Sequence, residues 1–141
     1  LAKEATEDEK PLVALLQPGW NESDGLERAG RFVDAYMAYW DTHHAVLRAR
    51  NLKAEEGNRY FRAVRTEANL LVMDALQAMV AEGIAAKRLS DSLDPFTTAA
   101  AVVAMCERLL AFRPEMAKRG ANRDAIRNTL ATLLYGALTG H

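Results

Sequence analysis

The sequence contains a single cysteine, Cys106, among its 141 residues. One thiol excludes a disulfide within the chain and a zinc site built from several cysteines. Long apolar runs are also lacking, since the longest, from Ala99 to Cys106, is far shorter than the roughly 18 residues of a membrane span. We therefore expect a protein without membrane segments, and the scarcity of cysteine favours the cytoplasm.

Neither sign of charge is in excess, because 18 Lys and Arg residues stand against 19 Asp and Glu residues and leave a net charge of −1. Phosphate binding needs a concentrated surplus of positive charge. The composition therefore argues against this chain as a free-standing nucleic-acid binder, although it says nothing against a basic domain joined to it elsewhere.

Groups that usually carry enzymatic or metal chemistry are scarce. His43 and His44 are adjacent, and neighbouring side chains on a helix point about 100° apart, which disfavours a shared metal ion. No Glu-x-x-His pair and no nucleophile with a nearby base stands out. We expect a protein that is not an enzyme and has no cofactor and no metal, with Cys106 as a buried, unreactive thiol.

What the sequence does contain is helix-forming residues, chiefly Ala, Leu, Glu, Arg and Met. Their periodicity predicts an all-α fold, with a first helical segment kinked or split at Pro11 and the longest helix starting at Arg59. The expected helices cover residues 1–16, 26–41, 42–57, 59–87, 95–113 and 122–139. A loop over residues 17–25 is predicted from its Pro, Gly, Asn, Ser and Asp content.

Capping residues predict where several of these helices begin. Asp94 precedes Pro95, a pairing typical of an N-cap followed by proline at the first helical position. Thr42, Asn58 and Asn122 are the expected N-caps of three other helices.

The last two helices carry more apolar surface than a small helical domain can cover. From Phe96 to Phe112 the polar residues are Thr97, Thr98, Glu107 and Arg108. The final helix combines an apolar stripe with a strip of small residues that would permit close helix approach. We expect a homodimer in which these helices form a four-helix bundle with their symmetry mates. The alternative is a monomer with one helix at its centre. The predicted interface residues are Met105, Leu109, Phe112, Ile126, Thr129, Leu130, Leu133, Gly136 and Ala137.

The order of four segments resembles the C-terminal domain of the TetR family of transcriptional regulators. They are YMAYWDTHHAVLRARN, FRAVRTEANLLVMDAL, LDPFTTAAAVVAMCERLLAF and LATLLYGALTG. The stretch AMCERLLAF is the most suggestive, and the resemblance covers nearly the whole chain. It implies a helical domain that binds a small molecule and controls a helix-turn-helix head, by analogy of fold.

That head is not visible in this sequence, and LAKEATEDEK looks like the second half of the helix that would connect to it. We therefore expect residues 1–16 to be the remnant of this connection and residues 17–141 to form the ligand-binding and dimerisation domain. DNA would be bound only through the missing head, and the parent protein would be a repressor.

The resemblance also implies a ligand pocket between the long helices. The candidate residues are mostly apolar and aromatic, as in many small-molecule sites, so we expect a small apolar or aromatic effector. They are Phe32, Val33, Tyr36, Trp40, Phe61, Arg65, Asn69, Val72, Met73, Leu76, Val103, Cys106 and Leu110.

Other interpretations of the same residues remain open. An aromatic stripe at helical spacing is more often plain core than pocket. Arg65 and Asn69 either orient a ligand or mark where their helix face meets solvent. Functionally, the alternatives are a structural module that binds another protein and, less favoured, an enzyme built on a helical bundle.

Overall fold

The computed structural model describes residues 10–17, 19–55 and 59–141 of the chain. The side chains of residues 10, 44, 46–48, 50, 51, 54, 55 and 59–70 also lie outside this description. Within the described residues the chain forms six helices and no strand, which confirms the all-α prediction. The helices are α1 (Lys10–Ala14), α2 (Gly25–Glu55), α3 (Arg59–Ala85), α4 (Pro95–Ala111), α5 (Arg113–Ala117) and α6 (Arg123–Thr139).

The predicted break at Thr42 is wrong, because α2 continues through it for 31 residues. The hydroxyl of Thr42 donates a hydrogen bond of 3.0 Å to the carbonyl oxygen of Ala38, one turn earlier. A threonine bonded back in this way sits inside a helix instead of capping a new one. Consequently α2, and not the 27-residue α3, is the longest helix.

The first helix ends two residues before the predicted Leu16. Of the predicted segment over residues 1–16, the first nine lie outside the described residues, and α1 ends at Ala14. The amides of Leu15 and Leu16 then bond to Leu12 and Val13 as turns. Pro11 lies in the first turn of α1, where its missing N–H costs no helical hydrogen bond.

Two predicted N-caps are confirmed. The Asp94 carboxylate accepts a 2.8 Å hydrogen bond from the amide of Thr97, with Pro95 beginning α4. The Asn122 side chain accepts one of 2.8 Å from the amide of Ala125 and starts α6. The predicted cap Asn58 lies outside the described residues.

The chain breaks between α4 and α5 at Phe112, whereas the sequence predicted an uninterrupted helix to Arg113. Pro114 explains the break, because it has no N–H to donate to the carbonyl of Leu110 one turn earlier. Arg113 takes over that carbonyl, to which its Nε donates a hydrogen bond of 3.3 Å. The chain then turns through α5 before α6.

The core lies where α2, α3, α4 and α6 meet, with α2 packed against α6 and α3, and α3 against α4. Its most deeply buried large apolar side chains are Leu16, Met37, Leu76, Val80, Leu110, Leu130, Leu134 and Leu138. Full burial of a side chain of this size contributes about 1.5–3 kcal/mol. This shared core fixes α2, α4 and α6 around the site described below.

The end of α6 is tied to the loop that follows α3. Nε of Arg88 donates a 2.8 Å hydrogen bond to the carbonyl oxygen of Thr139. Gly140 ends the helix at a φ of 79°, and a Cβ there would lie 2.5 Å from the Arg88 carbonyl oxygen. Glycine is thus required at this position both by its backbone conformation and by the close approach.

Candidate functional site

The described members of the predicted ligand set converge on one core. Phe32, Val33 and Trp40 come from α2, Val72, Met73 and Leu76 from α3, and Cys106 and Leu110 from α4, and all are buried. Tyr36 and Val103 are half-buried against them. The side chains of Phe61, Arg65 and Asn69 lie outside the described part of the chain. The ligand-binding role of the whole set remains a prediction.

Two of these residues also line a groove at one end of the bundle. Trp40 and Leu110 form part of a cavity of about 540 Å³ between α2, α4, α5 and the start of α6. We call it the Trp40 groove. Its other lining residues are Asp41, Ala111, Arg113, Pro114, Ala117, Ala121, Arg123 and Ile126.

On the charged side of the Trp40 groove, Asp41 forms ion pairs with Arg113 and Arg123. The carboxylate of Asp41 accepts a hydrogen bond from Nη2 of Arg113 and another, of 3.1 Å, from Nη1 of Arg123. Burial alone would raise the pKa of Asp41, but the hydrogen bonds from the two arginines outweigh it and hold that pKa below its ordinary value. The network therefore joins α2 to α5 and α6 while Asp41 stays ionised.

This network was not predicted from the sequence. Asp41 is separated from Arg113 by 72 residues and from Arg123 by 82. Arg113 was expected at the end of the helix over residues 95–113 and Arg123 at the start of the final helix, on either side of the last connection. Their position on either side of α5 was the one available clue, since the proline-containing turn brings both back toward the same helix end.

A second ion pair fixes α6 along α2. Nε and Nη2 of Arg127 donate to the two carboxylate oxygens of Asp34, each over 3.0 Å. This bidentate geometry is the strong form of the arginine–carboxylate interaction. The hydrogen bonds from Arg127 lower the pKa of Asp34, against an opposing effect of burial. Together the two pairs hold the groove-lining end of α6 in place.

Two members of the aromatic stripe predicted on α2, Phe32 and Tyr36, lie in a row of ring contacts that also includes Trp20, Tyr39 and His43. Ring centroids follow one another at 6.1 Å from Trp20 to Phe32 and at 5.9 Å from Phe32 to Tyr36. The row continues at 6.3 Å to Tyr39 and at 5.1 Å to His43. His43 thus packs against the ring of Tyr39 in this row.

The predicted dimer surface divides into exposed and buried members. On α6, Leu133 is 48% exposed, and Thr129, Gly136 and Ala137 are also exposed. A Cβ on Gly136 would meet nothing within 4 Å. The face therefore presents an apolar residue beside small ones.

The neighbouring end of α4 contributes to the same kind of surface. Phe112 is 40% exposed, and the guanidinium carbon of Arg108 lies 4.0 Å from its ring centroid. Met105 and Leu109 are half-buried. We call the exposed and half-buried members, Met105, Leu109, Phe112, Thr129, Leu133, Gly136 and Ala137, the α4–α6 face.

Ile126 and Leu130 need a correction. Both were assigned to the interface, but they are 4% and 1% exposed within their own chain. The apolar stripe of α6 is wide enough to serve two purposes, and the side that carries Ile126 and Leu130 packs into the protomer core. A partner could gain little area from either residue.

Cys106 is buried, as predicted, at 4% exposure. Burial and, to a smaller extent, the neighbouring charge of Glu107 raise the pKa of its thiol to about 12. The thiol is therefore protonated near neutral pH and has little nucleophilic or ligand character.

Within the part of the chain that the structure describes, no group of three or more His, Cys, Asp or Glu side chains is placed to hold a metal ion. Of the helices described, none is both long and apolar enough to cross a membrane.

The helical bundle, with its groove and its apolar face, can now be compared with known proteins. A family model for the "Tetracyclin repressor-like, C-terminal domain" matches residues 12–141. The chain therefore belongs to this family of regulator domains, which is not an enzyme family, and the resemblance noted in its sequence is confirmed. No curated protein and no solved structure matches the chain.

Proposed function

We propose that this chain is the effector-binding and dimerisation domain of a transcriptional repressor, and that its effector binds in the Trp40 groove. The observation that supports this most directly is that Trp40 and Leu110, two residues predicted to contact ligand, line a cavity of about 540 Å³. Ligand pockets commonly measure about 300–1,000 Å³ and are mostly apolar with a few polar groups. Repression takes place in the cytoplasm in this proposal.

The effector acts by shifting a population between two arrangements of the domain. The groove is bounded by α2, α4, α5 and α6, so a ligand that favours one spacing of these helices favours one arrangement of the bundle. An effector can shift the equilibrium only by its difference in affinity for the two arrangements.

The helix α1 is the element that would pass this change on. It packs against both α2 and α3, and Leu12 and Leu16 anchor this end of the chain at 3% and 2% exposure. A helix-turn-helix domain connected upstream would follow the movement of α1. Two DNA half-sites one turn apart tolerate little change in the spacing of two such heads.

Dimerisation would take place through the α4–α6 face. A stable interface buries roughly 800 Å² on each partner, and the face offers apolar side chains beside small residues where helices can approach closely. A symmetric pair of such faces makes the four-helix bundle expected from the sequence.

The test of this proposal is operator binding by the full-length parent protein, measured with and without an effector that binds the domain. We expect the operator affinity to fall when the effector is saturating. Unchanged affinity at saturation would exclude the regulatory mechanism.

A second candidate is a module that binds another protein without any small molecule. The close packing of Phe32, Leu76 and Cys106 in the core favours it, because these side chains are fully used in holding the fold together. Light scattering distinguishes the two proposals: a stable homodimer of this chain supports the regulator, and a monomer that pairs only with a different protein supports the module.

A further inference from the structure

The interior of the Trp40 groove is apolar on most sides. Trp40, Leu110 and Ile126 come from α2, α4 and α6, and Pro114 on α5 and three alanines complete the apolar lining. Trp40, Leu110 and Ile126 are also anchored in the core, at 5%, 2% and 4% exposure. Each therefore offers only a small part of its surface to the groove, and a ligand meets a small, preformed apolar patch beside Pro114 and the alanines, which suits a flat hydrocarbon or aromatic body.

The described side chains that line the groove carry two positive charges and one negative charge. Two guanidinium groups, those of Arg113 and Arg123, face the single carboxylate of Asp41. The Arg113 side chain is 19% exposed, whereas that of Arg123 is 57% exposed. A guanidinium has five N–H donors, and the bond from Arg123 to Asp41 uses Nη1. Arg123 is therefore the accessible cation of the pair.

We propose that the effector is an aromatic carboxylate, whose ring occupies the Trp40 groove and whose carboxylate binds Arg123; this rests on the proposed effector-binding function. Arginine binds carboxylates through two parallel N–H···O hydrogen bonds, which supply direction as well as energy. The surplus of positive charge at the mouth disfavours a cationic ligand of the same shape.

Asp41 has a defined part in this arrangement. Its carboxylate already binds both arginines, so it is an internal competitor for the carboxylate of a ligand. A bound effector must draw Arg123 away from Asp41 or share it. Replacing the Asp41 carboxylate by a neutral group should therefore strengthen ligand binding, whereas a substitution that disrupts the site would weaken it.

The experiment is isothermal titration calorimetry of the 141-residue chain at low salt, with 2-naphthoate and with the uncharged 2-naphthamide as probes. We expect naphthoate to bind at least about tenfold more tightly than the amide, as one charge-assisted hydrogen-bond pair would give. R123Q abolishes this preference. R119Q is the matched control, because Arg119 is an exposed arginine of the same connection that does not line the groove.

Asp41→Asn should have the opposite effect to R123Q: naphthoate should bind to this variant more tightly than to the wild type. The inference is overturned if naphthoate fails to bind at millimolar concentration or binds no better than the amide. It is also overturned if R119Q weakens binding as much as R123Q does, or if D41N weakens it. Thermal unfolding of each variant shows that it is folded.

These titrations need no DNA, so their outcome is separate from that of the regulatory proposal. Selective binding of naphthoate through Arg123, without any change in operator binding by the parent, would support the Trp40 groove as a site for aromatic carboxylates and count against it as the regulatory site. Release of the operator by uncharged effectors alone would support the regulatory role and contradict the inference that the effector is a carboxylate.

Discussion

Arg127 on α6 holds the carboxylate of Asp34 on α2 through two hydrogen bonds of equal length, 3.0 Å each. The two side chains are 33% and 57% exposed, so solvent weakens the pair without removing it. The space for the guanidinium is provided by Gly30, whose Cβ position would lie 2.4 Å from Nη2 of Arg127. Three residues thus set how α6 lies on α2.

Replacement of Asp34 by Asn should lower the free energy of unfolding by about 0.5–1 kcal/mol, the upper part of the range for exposed pairs, because the geometry is bidentate. Chemical denaturation measures the loss. Glu27→Gln is the control: it removes a single-contact i,i+4 pair with Arg31 on the solvent side of α2. A loss in E27Q as large as that in D34N would show that the bidentate geometry has no special effect.

Acid should remove the contribution of the Asp34–Arg127 pair to the free energy of unfolding. Because the pKa of Asp34 is lower in the folded chain, the unfolded chain takes up the proton first as the pH falls. The stabilisation is complete well above the unfolded pKa of about 3.9 and is lost as the pH drops from there through the folded value. Urea unfolding at pH 7 and near pH 3 should show the difference between wild type and D34N shrinking. A constant difference would contradict the assignment.

Gly30→Ala and Gly136→Ala form a matched pair within helices. Alanine in a helix interior is favoured over glycine by up to about 1 kcal/mol. At Gly136 the methyl group meets open space, and the chain should gain stability. At Gly30 the methyl group displaces Arg127, so the gain should disappear in the wild type and return in a D34N background. Because Gly136 lies on the α4–α6 face, denaturation should be measured with Leu133→Glu also present, so that a change in dimerisation does not add to the change in stability. Equal gains in stability at both positions would contradict the close contact between Gly30 and the guanidinium of Arg127.

Leu133→Glu tests the α4–α6 face. Light scattering of the wild type should give about twice the 15.6 kDa of one chain. A carboxylate buried at the centre of the interface should weaken dimerisation by at least about tenfold. Leu71→Glu is the control, since Leu71 is similarly exposed at 46% but lies on α3. A dimer that resists L133E, or dissociates equally with L71E, would place the interface elsewhere.

The parts of this fold that could be predicted from the sequence are those decided locally. Asp94 and Asn122 begin helices because their side chains reach amides three residues ahead, a relation visible in the sequence itself. Thr42 has the same chemistry, but its hydroxyl bonds backward within α2. Local propensity allows either choice, and the packing of α2 along α3 and α6 decides it.

The site was harder to predict because its parts meet only through tertiary packing. The aromatic row on α2 follows from helical spacing, and so does the burial of Trp40. The pairing of Asp41 with Arg113 and Arg123 depends on the turn at Pro114 and on where α6 lies. In the same way, the spacing of Leu130 and Leu133 shows that both lie on an apolar stripe, but not which one faces the protomer core.

The unbroken course of α2 through Thr42 has a mechanical consequence. At about 1.5 Å per residue, the helix rises roughly 22 Å from Gly25 to Trp40 without a break. A tilt of about 5° at the groove would displace the Gly25 end by about 2 Å, with no hinge between them to absorb it. The Gly25 end adjoins Trp20, which packs on Phe32 and bonds to the carbonyl of Leu15 just beyond α1. One stiff helix is thus long enough to turn a small displacement at the groove into a larger one at the opposite end of the bundle.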